Sequence, residues 1–176
     1  AVVALGPLGG AYVEMGNTGE AIQCLEQVMS RLGGGGGSRN GGWFSALLSE
    51  AHLLNGDVKK AHELALRALH VTRDTGNWYG IGYAERILGR IALASGALAE
   101  AEGFLCDALR TFDSRDARFE VGRTHMGLAM LGHARGDTDA VAGHIRQAVA
   151  LFEALGVVKY VARAEHVGLE CGLAGY

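Results

Sequence analysis

Few side chains in this 176-residue sequence have types and spacings that could do chemistry. His166, Glu170 and Cys171 fall at i, i+4 and i+5, neighbouring positions of a helix that could offer metal ligands. The zinc-binding helix needs two His four residues apart, and only one is present. His62-Glu63 opens that motif, but Leu66 stands where the second His belongs. Gly80-Ile81-Gly82 has Glu85 in place of the third glycine of a dinucleotide loop, and no strand pattern precedes it. Gly33 to Gly37 lead into Ser38-Arg39, whereas a phosphate loop needs Lys-Ser/Thr after its glycines and a strand before them. No Gly-x-Ser-x-Gly nucleophile elbow occurs. The seven His are scattered, reading as surface or partly buried helix residues. No acid, base and nucleophile converge, so the expectation is a protein that is not an enzyme, with no catalytic residues, no metal and no cofactor.

Composition narrows the class further. Sixteen Lys+Arg against nineteen Asp+Glu give a net charge of −3, with neither sign dominant, which excludes a nucleic-acid arm. No apolar stretch is long enough for a membrane helix. Cys24, Cys106 and Cys171 are odd in number and sit in no metal or redox spacing. They read as small core residues of a reducing compartment, hence a cytoplasmic protein. The chain begins with Ala1, as expected of a processed product or a piece of a longer protein.

The elements that would position any site emerge from a repeat. Gly16, Gly56, Gly96 and Gly136 recur every 40 residues, followed by Asn17, Asp57, Ala97 and Asp137. Leu8, Leu48, Leu88 and Leu128 keep the same register before the glycines. After them come Ala21, Ala61, Ala101 and Val141, then Leu25, Ala65, Leu105 and Ile145, then Val28, Ala68, Ala108 and Ala148. Apolar residues such as Leu88, Ile91 and Ala92 before the turn, and Ala101, Leu105, Ala108 and Phe112 after it, follow a helical period. The unit is therefore a helical hairpin: glycine ends the first helix in a left-handed conformation, and the following Asn or Asp caps the second. The pattern predicts helices over 2–15, 18–32, 43–55, 58–74, 78–95, 98–113, 117–135, 138–155 and 158–174. Ala21, Ala61 and Ala101 mark where the two helices of a hairpin approach closely. The run of Gly33 to Gly37 keeps the period, so it reads as a connection between hairpins with the preceding helix ending near Leu32; an engineered stretch is the alternative. Arg123, Met126 and Gly132 map onto Arg163, His166 and Gly172, making the last segment a fifth first-helix, either a closing cap or a repeat cut short.

This pattern resembles the tetratricopeptide repeat (TPR) family, through Leu-Gly at 8–9 and 88–89, Tyr12, the turn glycines and the alanine columns. It departs from the family in its period, 40 rather than 34, and in lacking the proline that often ends the second helix. Forty-residue versions look like the arrays attached to large bacterial regulators. The resemblance implies an all-α, right-handed superhelical solenoid of antiparallel hairpins in one domain, with repeats near 1–40, 41–80, 81–120 and 121–160 and a closing helix at 158–174. It further implies a protein-interaction scaffold that binds a peptide segment in a concave groove; a sensory module for a small peptide or metabolite is the alternative. The inward first-helix columns then hold Trp43, Glu50, Tyr83, Arg90, Arg123 and Met130, with Arg86, Met126, His133, Arg163 and His166 adjacent. Their arginines suit a partner of acidic character, because guanidinium groups bind carboxylates bidentately. Pairing of Arg86 with Glu85 or Glu120, and packing of Trp43 on a neighbour, is the competing reading. No Asn occupies these columns, so the family's carboxylate clamp for chaperone tails is not carried over. The apolar ends, Ala1 to Leu5 and Leu173 to Tyr176, predict self-association through end faces.

Overall fold

The computed structural model describes residues 2–33 and 41–173, with the side chains of residues 2–4 left aside. Residues 34–40, most of the glycine run, and the last three residues lie outside that range. Among the described residues the secondary structure is entirely α-helical. The helices are α1 (Val2–Met15), α2 (Thr18–Arg31), α3 (Gly41–Leu54), α4 (Val58–Asp74), α5 (Trp78–Ala94), α6 (Leu98–Asp113), α7 (Arg118–Arg135), α8 (Thr138–Ala154) and α9 (Val158–Glu170). The chain divides into two compact units, residues 1–91 and 92–176.

The turn column behaves as its composition demands. Gly16, Gly56, Gly96 and Gly136 have φ between 72° and 84°, where a Cβ would be strained. The turn is a Schellman closure: Gly56 N–H donates to Leu53 O at 3.1 Å and Asp57 N–H to His52 O at 2.9 Å. The side chain of Asp57 then accepts from Lys60 N–H at 3.0 Å, and that of Asp137 from Ala140 N–H at 2.9 Å. Asn17 makes no side-chain cap bond, and Ala97 has no side chain to make one.

In the first unit α1 packs on α2, α2 on α3 and α3 on α4. Ala21, Leu25, Val28, Ala61, Ala65 and Ala68 have no exposed surface. Ser49 Oγ donates to Ala61 O at 2.6 Å, so α3 and α4 meet closely enough for a side chain to bond the opposite backbone. In the second unit Ala92, Ala101, Leu105, Leu128 and Leu131 form one apolar cluster, and Ala148, Phe152, Tyr160, Ala164 and Met126 another. Where the fourth repeat carries Val141 in the alanine column, the facing residue is Gly132. A Cβ built on Gly132 would lie 3.2 Å from the Val141 nitrogen and 3.3 Å from the Asp137 oxygen, so the absent side chain lets α7 approach the α8 backbone closely.

Most helix ends fall within one or two residues of the sequence expectation, but the last helix and the cysteines depart from it. The last helix ends at Glu170 rather than 174, because Gly172 turns left-handed (φ 88°) and Leu173 N–H closes on Gly168 O at 3.0 Å. This glycine closes the helix one turn earlier than the 40-residue period places it. The three cysteines are not core residues: Cys106 is exposed, and Cys24 and Cys171 are partly exposed. No helix among the described residues is long and apolar enough to cross a membrane.

Candidate functional site

The singled-out residues fall into two groups, Trp43, Glu50, Tyr83, Arg86 and Arg90 in the first unit and Arg123, Met126, Met130, His133, Arg163 and His166 in the second. In the first unit the structure draws four of its five together. Glu50 on α3 is 1% exposed, and its carboxylate accepts a hydrogen bond from Tyr83 Oη and one from Arg90 Nη1 at 2.6 Å, both on α5. Arg86, 2% exposed, places its guanidinium 4.7 Å from the centre of the Tyr83 ring. The preceding residue, buried Glu85, accepts from Arg73 Nη2 on α4 at 3.1 Å. Trp43 packs on Phe44 and Tyr79, with ring centres 5.1 and 6.3 Å away. This face is internally matched, carboxylate to guanidinium, and Glu50, Tyr83 and Arg86 are interior rather than groove-lining. Removing one partner of such a buried pair costs several kcal/mol, about 3–5, because the other charge is stranded.

The second unit is arranged differently. On α7, Arg123 lies 6.0 Å from the Phe119 ring centre and 5.8 Å from that of Tyr160 on α9, with Glu120 Oε2 at 4.0 Å. Arg163, one period on, stands 5.5 Å from the Tyr160 ring. Two cations thus share one aromatic ring, an arrangement worth about 0.5–2 kcal/mol per contact, depending on how far each is desolvated. Arg123 is largely covered, its side chain 10% exposed, and Arg163 is partly buried. Further along α7, Met130 is 45% exposed and exposed His133 approaches Cys171 O at 3.1 Å through Nδ1. His166 is exposed and pairs with Glu170 at 3.4 Å. Met126 is 8% exposed and belongs to the core with Phe152 and Tyr160. The spacing of 123, 126, 130 and 133 is that of one helical face, which is buried at Met126 and open at Met130 and His133.

Several residues that build these sites were not evident from sequence. Phe119 and Tyr160 face the arginines and Tyr79 packs on Trp43 and Tyr83; for Tyr79 and Phe119 the signal was the period itself. Tyr79 and Phe119 stand 40 apart. The clearest omission is His125 and His144, whose Nδ1 atoms lie 3.1 Å apart across the α7–α8 hairpin. Two periods earlier the same two columns hold Ser45 and Leu64, where Ser45 Oγ meets Leu64 O at 3.4 Å. Burial and the neighbouring His144 push His125 down to about 4, against its ordinary value near 6.5. Burial also lowers His144.

No family model matches the sequence, and no curated protein does. Solved structures do match in fold. A Rap protein complexed with Competence and Sporulation Factor superposes with a TM-score of 0.79 at 16% identity, over 93% of this chain and 49% of that one. The chain therefore spans about half the length of that relative. Nearly identical TPR-like repeats of a putative kinesin light chain from Podosopora anserina match with a TM-score of 0.64 at 20% identity, over 96% of this chain and 87% of that one. A signal transduction ATPase with a tetratricopeptide repeat sensor, from Pyrococcus horikoshii, matches with a TM-score of 0.67 at 17% identity, over 95% of this chain and 26% of that one. The fold is thus all-α and TPR-like, built from helical hairpins.

Proposed function

We propose that this chain is a protein-interaction scaffold, and that the first-helix face of its second unit binds a peptide segment of acidic character. The observation that supports this most is the pair Arg123 and Arg163 around the Tyr160 ring. A guanidinium steadied by an aromatic face loses less freedom when it closes on a carboxylate than a free lysine would. The acidic preference is placed on Arg163 and Arg123, with Met130, His133 and His166 as flanking contacts. The proposal includes a place in the cytoplasm of a bacterium as part of a larger regulatory protein, and self-association through the exposed apolar residues Val158 and Leu169 on the last helix. The test is binding of immobilised acidic, neutral and basic peptides to the parent and to Arg163→Glu. The reading expects acidic peptides to be retained preferentially and lost in the variant, with helicity unchanged. Equal retention of all three classes, or an undiminished variant, would overturn it.

A second reading, a sensory module for a small peptide or metabolite, draws on two of the neighbours. One is a complex with a factor, and the repeats of another are a sensor. A sensor should show a ligand-dependent rise in melting temperature.

A further inference from the structure

The second unit contains a pair of groups that its interaction face does not use. His125 on α7 and His144 on α8 face one another from the two arms of one hairpin, ring centres 5.2 Å apart and planes inclined by 31°. Both are half-buried. Their Nδ1 atoms lie 3.1 Å apart, at hydrogen-bond distance, so the two lone-pair positions can converge on one point. We propose that His125 and His144 form a two-histidine site for a transition-metal ion, with Cu2+ as the best-fitting occupant.

Geometry comes first. An ion held 2.0–2.1 Å from each of two nitrogens 3.1 Å apart would subtend an angle of about 95–102° at the metal. That lies between the right angle of a square-planar centre and the tetrahedral angle. Imidazole nitrogen is a borderline ligand suited to Cu2+, Ni2+ and Zn2+, and Cu2+ is bound most tightly of these and favours tetragonal geometry. The pair is mounted on two helices already locked together by the Gly136 turn and the Asp137 cap, so little ordering is needed on binding. Asp113 acts electrostatically on His125 and Asp137 on His144, and both favour a cation there. No cluster of three or more His, Cys, Asp or Glu occurs among the described residues, so water completes the coordination.

Proton bookkeeping is simple. Without metal, two neutral rings with facing Nδ1 atoms form one N–H···N hydrogen bond, one ring donating and the other accepting. With metal, both Nδ1 lone pairs go to the ion, and the donor ring moves its proton to Nε2. No net proton is released and no redox step is involved.

The experiment is a Cu2+ titration of the whole chain against glycine as competitor, with electron paramagnetic resonance of the bound ion. His125→Ser and His144→Leu are the informative variants, because the second repeat already carries Ser45 and Leu64 at these positions and folds with them buried. Loss of an outer-shell partner alone costs a metal site about 10–100-fold in affinity, so each variant should lose at least that much. His70→Ala, at an exposed His–carboxylate pair, should leave Cu2+ affinity unchanged. The parent spectrum should show coupling to two imidazole nitrogens. Parent-like Cu2+ affinity in either His125→Ser or His144→Leu would overturn the site. Should those variants fail to fold, the parent spectrum decides alone: coupling to one nitrogen or none leaves a simple His–His hydrogen bond.

Discussion

At the scale of single residues, backbone handedness gives the sharpest test. Gly76 and Gly156 close the second helices of their hairpins with φ of 63° and 68°. The equivalent position of the repeat between them is Asp116, the only non-glycine residue with positive φ among the described residues, at 50°. Asp tolerates this region better than most residues but still carries a Cβ there. Replacing Asp116 with Gly should therefore raise stability by about 0.5–1 kcal/mol, the relief of strain exceeding the added freedom of the unfolded chain. Chemical denaturation would measure it, and a loss of stability would mean that the turn is held by the aspartate side chain instead. This second column of left-handed positions was missed in the sequence, because one of its members is Asp. The first column was legible because all four members are glycine. Burial of Glu50 and Arg86 was not legible at all. Charged residue types suggest exposure, and for Glu50 it is the bonds from Tyr83 and Arg90 across α3 and α5 that make burial tolerable.

At the scale of helices, the seam of each hairpin is set by side-chain size. Ala61 and Ala101 have no exposed surface, and enlarging either to Leu should destabilise by about 1–3 kcal/mol through overpacking. Thermal melting of both variants checks this, and parent-like melting would mean the register of the seam is misplaced. The α6–α7 junction offers a pH test. Arg135 makes bonds of 3.0 and 2.8 Å to the two carboxylate oxygens of Glu102, and the hydrogen bond and charge of Arg135 hold that carboxyl below its usual range. A carboxyl with a lowered folded-state value adds stability above its unfolded value, near 4.5, and that stability is lost as pH falls through the folded value. Denaturation curves of the parent and Glu102→Gln should therefore separate at pH 6 and draw together as pH falls below 4.5. Separation that persists at low pH would assign the difference to packing rather than charge. Helix positions were readable to within a few residues because glycine, alanine and leucine columns repeat in register. The end of α9 was not, since Gly172 closes the helix one turn before the period predicts.

At the scale of the whole molecule, the last helix leaves Val158 77% and Leu169 55% exposed, which is the basis for expecting association between copies. Sedimentation should show reversible self-association at high concentration that weakens in a Val158→Lys, Leu169→Lys double variant. A parent that stays monomeric throughout would remove that part of the proposal. The central claim is that the first-helix face of residues 118–170 receives an acidic segment, and hydrogen exchange with a saturating acidic peptide tests it most directly. Added protection should concentrate on α7 around Arg123 to His133 and on α9 around Tyr160 to His166, and should fade with added salt as exposed charge pairs are screened. Protection confined to α6 and α8, or insensitive to salt, would contradict the claim.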